Sequence, residues 1–194
     1  MRAIGVGALA LACLLAGLWI SQKYRSAQPV EPPLAAVEYL PDFTLPDLDD
    51  QPRSIMEWSG RPLLINFWAT WCAPCRREMP LLQTLQDERS DGGLQVIGVA
   101  LDNLLDVKRF VAETKVTYPI LYGEDDATRV AESFGEDFIV LPFSAFVAPG
   151  GEILALHSGE LYADDLRQLA VEIEALVRGE RSIADARESL LEDR

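Results

Sequence analysis

The sequence predicts a small α/β domain held on an N-terminal apolar segment. Three observations lead there. Apolar stretches alternate with amphipathic ones from Tyr39 onward, a β-turn-β unit comes late in the chain, and an uncharged run opens it. Strand–helix–strand–helix order calls for parallel strands covered on both faces, and the late hairpin adds antiparallel ones. A length of 194 residues suits one such domain with extensions.

The opening run is AIGVGALALACLLAGLWI, 18 uncharged residues at 3–20. As a helix it would be about 27 Å long, close to the roughly 30 Å of a bilayer core. Trp19 and Tyr24 sit near its end, where interfacial aromatics belong. Ala-x-Ala triplets fall only inside the run, and Arg25-Ser26-Ala27 is a poor cleavage site. Residues 1–22 are therefore expected to be an uncleaved transmembrane anchor rather than a removed signal. Cys13 reads as a small apolar residue of that helix, since a lipidated cysteine would precede a polar chain and Leu14-Leu15-Ala16-Gly17-Leu18 follows. Arg2 on one side balances Lys23 and Arg25 on the other, so charge leaves the orientation open. Residues 23–37, with Pro29, Pro32 and Pro33, read as a semi-extended tether.

Within the body, residues 38–178, Leu63–Trp68 is mostly apolar, as a strand buried on both faces requires. A helix is expected from about Cys72 to Arg89, with a kink at Pro80. Leu94–Leu101 reads as a second central strand. Residues 103–114 and 125–134 read as helices, the second stopped by Gly135. Phe143–Val147 and Ile153–Leu156 flank the turn Pro149-Gly150-Gly151. Leu166, Leu169, Ala170, Ile173, Leu176 and Val177 give a final helix, Ala163–Val177, one core face. The charged stretch 179–194 is expected as a short solvated helix or a frayed tail.

Charge excludes some partners. The net charge is -14, and residues 1–30 contain no acid. The rest carries 14 basic against 31 acidic residues, net −17. Such a body repels nucleic acid and anionic lipid. No cofactor is expected.

Chemistry concentrates at Trp71-Cys72-Ala73-Pro74-Cys75, where a buried strand turns into a helix. Two cysteines three apart at a helix start can close into a small disulfide ring. Free N–H groups and the helix dipole stabilise a thiolate on the first. Cys72 is thus expected to attack, and Cys75, one turn inward, to resolve the mixed disulfide. A zinc site would need two more ligands, and only Cys13 and His157 remain. As a structural staple the closed loop is too short to contribute much. Ala73-Pro74 places no charge between the sulfurs, which predicts a reducing couple within roughly 50 mV of about −270 mV. Two other classes stay open: a cuprous-copper module on the same thiolates, and a thiol peroxidase.

The segment Phe67-Trp68-Ala69-Thr70-Trp71-Cys72-Ala73-Pro74-Cys75-Arg76-Arg77-Glu78-Met79-Pro80 resembles the active-site segment of membrane-anchored thioredoxin-like proteins of the TlpA, ResA and CcmG group. Pro41–Asp47 resembles the extra N-terminal strand element of that group. The resemblance implies a thioredoxin fold facing the periplasm from the bacterial inner membrane. It also implies a reductant of client-protein disulfides, often in cytochrome c or copper-centre assembly. In an oxidising compartment such a reductant must be recharged, so a membrane electron donor is implied.

Glu78 matches the acidic residue that lies near the dithiol in ResA-like proteins. Three residues beyond Cys75, it shares nearly the same helix face. A partly buried carboxylate there would have a raised pKa and would shuttle the Cys75 proton. Arg76 and Arg77 read as a solvated face. Val140-Leu141-Pro142 precedes a strand where the family places a cis-proline, leaving the Leu141 backbone free to pair with a substrate strand. Trp71, Pro74, Leu141 and Pro142 form the expected client-binding set, and Trp68 is expected in the core. Many relatives have Thr after the proline. Phe143-Ser144 here suggests a more apolar client surface at this edge.

Overall fold

The computed structural model describes residues 38–89, 93–135 and 140–192. The expected anchor and tether, residues 1–37, lie outside these. Among the described residues no helix is long and apolar enough to cross a membrane.

A five-stranded sheet organises the domain, in the order β5-β4-β3-β6-β7. Strands β3 (Leu63–Trp68), β4 (Gln95–Ala100) and β5 (Ile120–Tyr122) run parallel. Strands β6 (Phe143–Val147) and β7 (Ile153–Ser158) complete it antiparallel. A separate hairpin, β1 (Thr44–Pro46) with β2 (Pro52–Ser54), precedes the sheet. The extra N-terminal element is thus a two-stranded ribbon, touching the main sheet through an Asp47–Leu121 bridge.

Helices follow the expected order: α1 (Ala73–Arg89), α2 (Leu104–Thr114), α3 (Asp125–Glu132), α4 (Ala163–Val177) and α5 (Ile183–Glu192). Local chemistry sets their ends. Asn103 caps α2 by accepting the Asp106 N–H at 3.1 Å. Gly135, at φ 110°, turns the chain after α3. In α4 the Asp165 carboxylate accepts the Tyr162 N–H at 2.7 Å. Pro80 lies inside α1 as expected.

All six residues of β3 are buried, so both of its faces are covered. Alternation splits them between two cores. Leu64 and Trp68 join Met79, Leu82, Phe110, Leu169 and Ile173 on the side of α1, α2 and α4. Leu63, Ile65 and Phe67 join Ile55, Ala131, Phe134, Phe143 and Val147 on the other. The close approach of Trp68 depends on Gly98, where a Cβ would lie 2.5 Å from Ile120 Cδ1 and 3.1 Å from Trp68 Nε1.

Two expectations need correction. The segment after 179 is not a solvated tail: α5 packs on α4 and β7, and Ala186 and Leu190 are buried. Two of its polar side chains have partners elsewhere in the domain. Ser189 donates to the buried Glu172 at 2.9 Å, and Arg187 Nε donates to the Ile153 carbonyl at 2.8 Å. Phe143 does not line a client surface. It is fully buried against Phe67 and Phe134, because strand alternation turns it into the core opposite α1.

Candidate active site

The dithiol sits at the C-terminal end of β3, the sheet's central strand. Cys72 and Cys75 form a disulfide with Cα atoms 5.3 Å apart. The turn into α1 is fixed from both sides. Cys72 N–H donates to the Ala69 carbonyl at 3.1 Å, and Arg76 N–H donates to the Cys72 carbonyl at 3.2 Å. Cys75 N–H points at Cys72 Sγ, 3.3 Å away. That is the free helix-start donor a Cys72 thiolate needs. No acidic residue occupies the first turn of α1 to compete for it. Cys72 is less open than expected, only 5% exposed, while Cys75 is 0% exposed. The order of access still favours Cys72.

Asp102, which the sequence reading passed over, holds the loop before Cys72. Its Oδ2 accepts both the N–H and the hydroxyl of Thr70, and its Oδ1 accepts the Asn103 N–H at 2.9 Å. The loop bearing Trp71 and Cys72 is thereby tied to the start of α2. Asp102→Ala should strip these donors of their acceptor and lower stability by about 2–3 kcal/mol, read as a drop in the denaturation midpoint. An unchanged midpoint would mean that the loop holds itself.

Behind the disulfide lies Glu78, fully buried on α1. Its Oε1 accepts from Asn66 Nδ2 at 2.7 Å, and its Oε2 accepts the Leu161 N–H at 2.7 Å. Asn66 Nδ2 also donates to Ser144 Oγ at 3.0 Å. Burial pushes the Glu78 carboxyl up to about 7, and nearby Glu160 pushes the same way. The two hydrogen bonds offset this only in part. Glu78 and Cys75 are one helical turn apart, about 5–6 Å between Cβ atoms. Tyr118, buried nearby, is pushed upward by burial first and by Glu78 second. The sequence reading found Glu78 but not Asn66, Ser144 or Leu161. An asparagine inside an otherwise apolar strand was the visible signal.

The remaining site residues fall as follows. Trp71 is 72% exposed beside the dithiol, and Trp68 is fully buried against Phe110. Pro74 is half-buried. The Leu141–Pro142 peptide is cis. Phe143 pairs with Phe67 across β6 and β3, so Pro142 reaches the same sheet end as Trp68 and the dithiol. Leu141 is half-buried and Val140 exposed. Both arginines are exposed but partnered. Arg76 lies over the Phe110 ring at 5.5 Å, and Arg77 forms a two-pronged ion pair with Glu160.

Residues 35–170 match the family model described as Redoxin. The chain belongs to the Redoxin family. Among curated proteins it is similar to the thiol-disulfide oxidoreductase ResA of Oceanobacillus iheyensis, at 32% identity over 65% of this chain and 66% of that one. The thioredoxin-like protein YneN of Bacillus subtilis is also 32% identical, over 66% of this chain and 74% of its own length. Among solved structures, a thiol:disulfide interchange protein DsbE from Chlorobium tepidum superposes with TM-score 0.64 at 26% identity, covering 73% of this chain and 99% of that one. The resemblance to the TlpA, ResA and CcmG group is borne out. A dithiol at the helix start, on this fold, makes the Redoxin-family chain a thioredoxin-like thiol–disulfide oxidoreductase.

Proposed function

We propose that this chain reduces disulfides in extracytoplasmic client proteins while tethered to the membrane by residues 1–22. The observation that carries the reading is the disulfide of a helix-start sulfur, Cys72, with a more deeply buried partner, Cys75, beside a carboxyl of raised proton affinity. Cys72 attacks the client disulfide, Cys75 resolves the mixed disulfide, and Glu78 takes the Cys75 proton. Clients dock on Trp71, Pro74 and the Leu141 backbone beside Pro142. Assembly of cytochrome c or of a copper centre is the setting that the resemblance suggests, with a membrane donor returning electrons to the pair.

The first described residues support this arrangement. Glu38 and Tyr39 run along the edge of β7: Ile153 N–H donates to the Glu38 carbonyl at 2.9 Å, and Tyr39 bridges Glu152. Ile153 pairs with Val147, and Val147 with Leu63. Glu38 and Tyr39 therefore lie at the sheet end opposite the dithiol.

Trapping with Cys75→Ala tests the exchange. The surviving Cys72 should hold clients as mixed disulfides that reductant releases; an empty trap in whole cells would count against the reading. Direction is tested separately. The couple should lie within roughly 50 mV of about −270 mV, and a value near the roughly −120 mV of DsbA would make the protein an oxidant instead.

A further inference from the structure

The two oxygens of Glu78 meet different kinds of donor. Oε2 faces the main-chain N–H of Leu161 at 2.7 Å. That group cannot reverse its polarity, so Oε2 is held as an acceptor. Oε1 faces the side-chain amide of Asn66 at 2.7 Å. An amide that turns over presents an acceptor where it had presented a donor. The Ser144 hydroxyl, 3.0 Å from Asn66 Nδ2, is a rotor that can accept from Nδ2 or donate to Oδ1. Asn66, Glu78 and Ser144 are all 0% exposed, so water does not blur the distinction. Asn66 Oδ1 has no hydrogen-bond partner among the described residues, as fits an amide turned to serve an ionised carboxylate.

We propose that Asn66 is a positioning residue of the redox reaction: its amide, steadied by Ser144, makes Oε1 the oxygen of Glu78 that takes the Cys75 proton and gives it back. The proposal rests on the reading of Glu78 as proton acceptor given above. In the resolving step the Cys75 S–H proton passes to Oε1. The Cys75 thiolate attacks Cys72 sulfur, the Cys72–Cys75 bond forms, and the bond from Cys72 to the client breaks. The client sulfur leaves as a thiolate and takes a proton from solvent. Protonated Oε1 donates to Asn66 Oδ1 with the amide turned inward; once that proton leaves for solvent, the amide turns back to the donor geometry that the disulfide form shows.

The other titratable groups around Glu78 do not replace this contact. On its own helix, Arg77 is engaged by Glu160. From the β7–α4 connection comes Glu160, held by Arg77, and from β7 itself His157, whose Nε2 lies 3.4 Å from the Glu160 carbonyl. From the stretch before β5 comes the Tyr118 hydroxyl, which has no hydrogen-bond partner among the described residues.

The test uses full-length chain labelled with ¹³C-glutamate, the Glu78 resonance being assigned by its loss in Glu78→Gln. A second readout is the pH dependence of glutathione release by Cys75 from chain carrying glutathione on Cys72. Asn66→Leu should raise the Glu78 midpoint by about one unit, a tenfold gain in proton affinity. The alkaline limb of glutathione release should move with it, and should not move further when Asn66→Leu is added to Glu78→Gln. Should Asn66→Leu fail to fold, the isosteric Asn66→Asp sets a second carboxyl against Oε1 and should shift both readouts further upward. If Glu78→Gln leaves the release profile unchanged, the proton-acceptor reading falls. If Glu78→Gln changes it but neither Asn66 variant moves the midpoint or the limb, the assignment of Asn66 falls alone.

Discussion

Cys72→Ser should reduce client disulfide reduction more than a thousandfold, an order-of-magnitude expectation for losing a nucleophile whose partners remain in place. Cys75→Ser should behave differently. It should still form one mixed disulfide per chain and then stop. The asymmetry follows from position: Cys72 precedes α1 and receives the Cys75 N–H, whereas Cys75 is fully buried one turn inward. In the reduced wild-type chain, iodoacetamide should therefore modify Cys72 at least about tenfold faster than Cys75 at neutral pH. Mass spectrometry of short labelling times measures the ratio directly. Equal rates, with both thiols ionising like free cysteine, would remove the distinction between attacker and resolver.

The parts of this arrangement that the sequence revealed are those written in neighbouring residues. The apolar run Leu63–Trp68, the helix-start dithiol and Glu78 three residues beyond it all lie in one stretch of 16 residues. Helical spacing alone then places Glu78 near Cys75. What stayed hidden depends on pairing between distant segments. Ser144 reaches Asn66 only because β6 lies antiparallel beside β3, and Leu161 reaches Glu78 across 83 positions of sequence. The register also decided Phe143, whose side of the strand cannot be read until its partner Phe67 is known. Strand β5 was too short, at three residues, to announce itself by periodicity. The last helix looked solvated because its buried face is narrow. Its contacts with the core come from Ala186, Leu190 and a buried glutamate on another helix.

The largest effect on stability should come from Glu78→Gln, and it should depend on pH. In the folded chain the carboxyl is raised from 4.5 to about 7. Between these values the folded state holds a proton that the unfolded chain has released. Stability then falls as pH rises through that window and levels off above it. The full difference is about 3 kcal/mol, from roughly 1.4 kcal/mol for each unit. Glutamine does not titrate. Its carbonyl can still accept the Leu161 N–H, and its amide can donate to Asn66 once that side chain turns over. Oxidised Glu78→Gln should therefore match the parent near pH 4 and exceed its stability by about 3 kcal/mol at pH 8. Denaturant titrations of the oxidised protein at the two pH values measure this. A constant difference between variant and parent would show that folding leaves the carboxyl's proton affinity unchanged. The expected pattern has a functional meaning. A carboxyl that weakens the fold at neutral pH, where a glutamine would strengthen it, fits a role for its ionised form. On the function proposed above, that is to accept a proton from the sulfur one turn away.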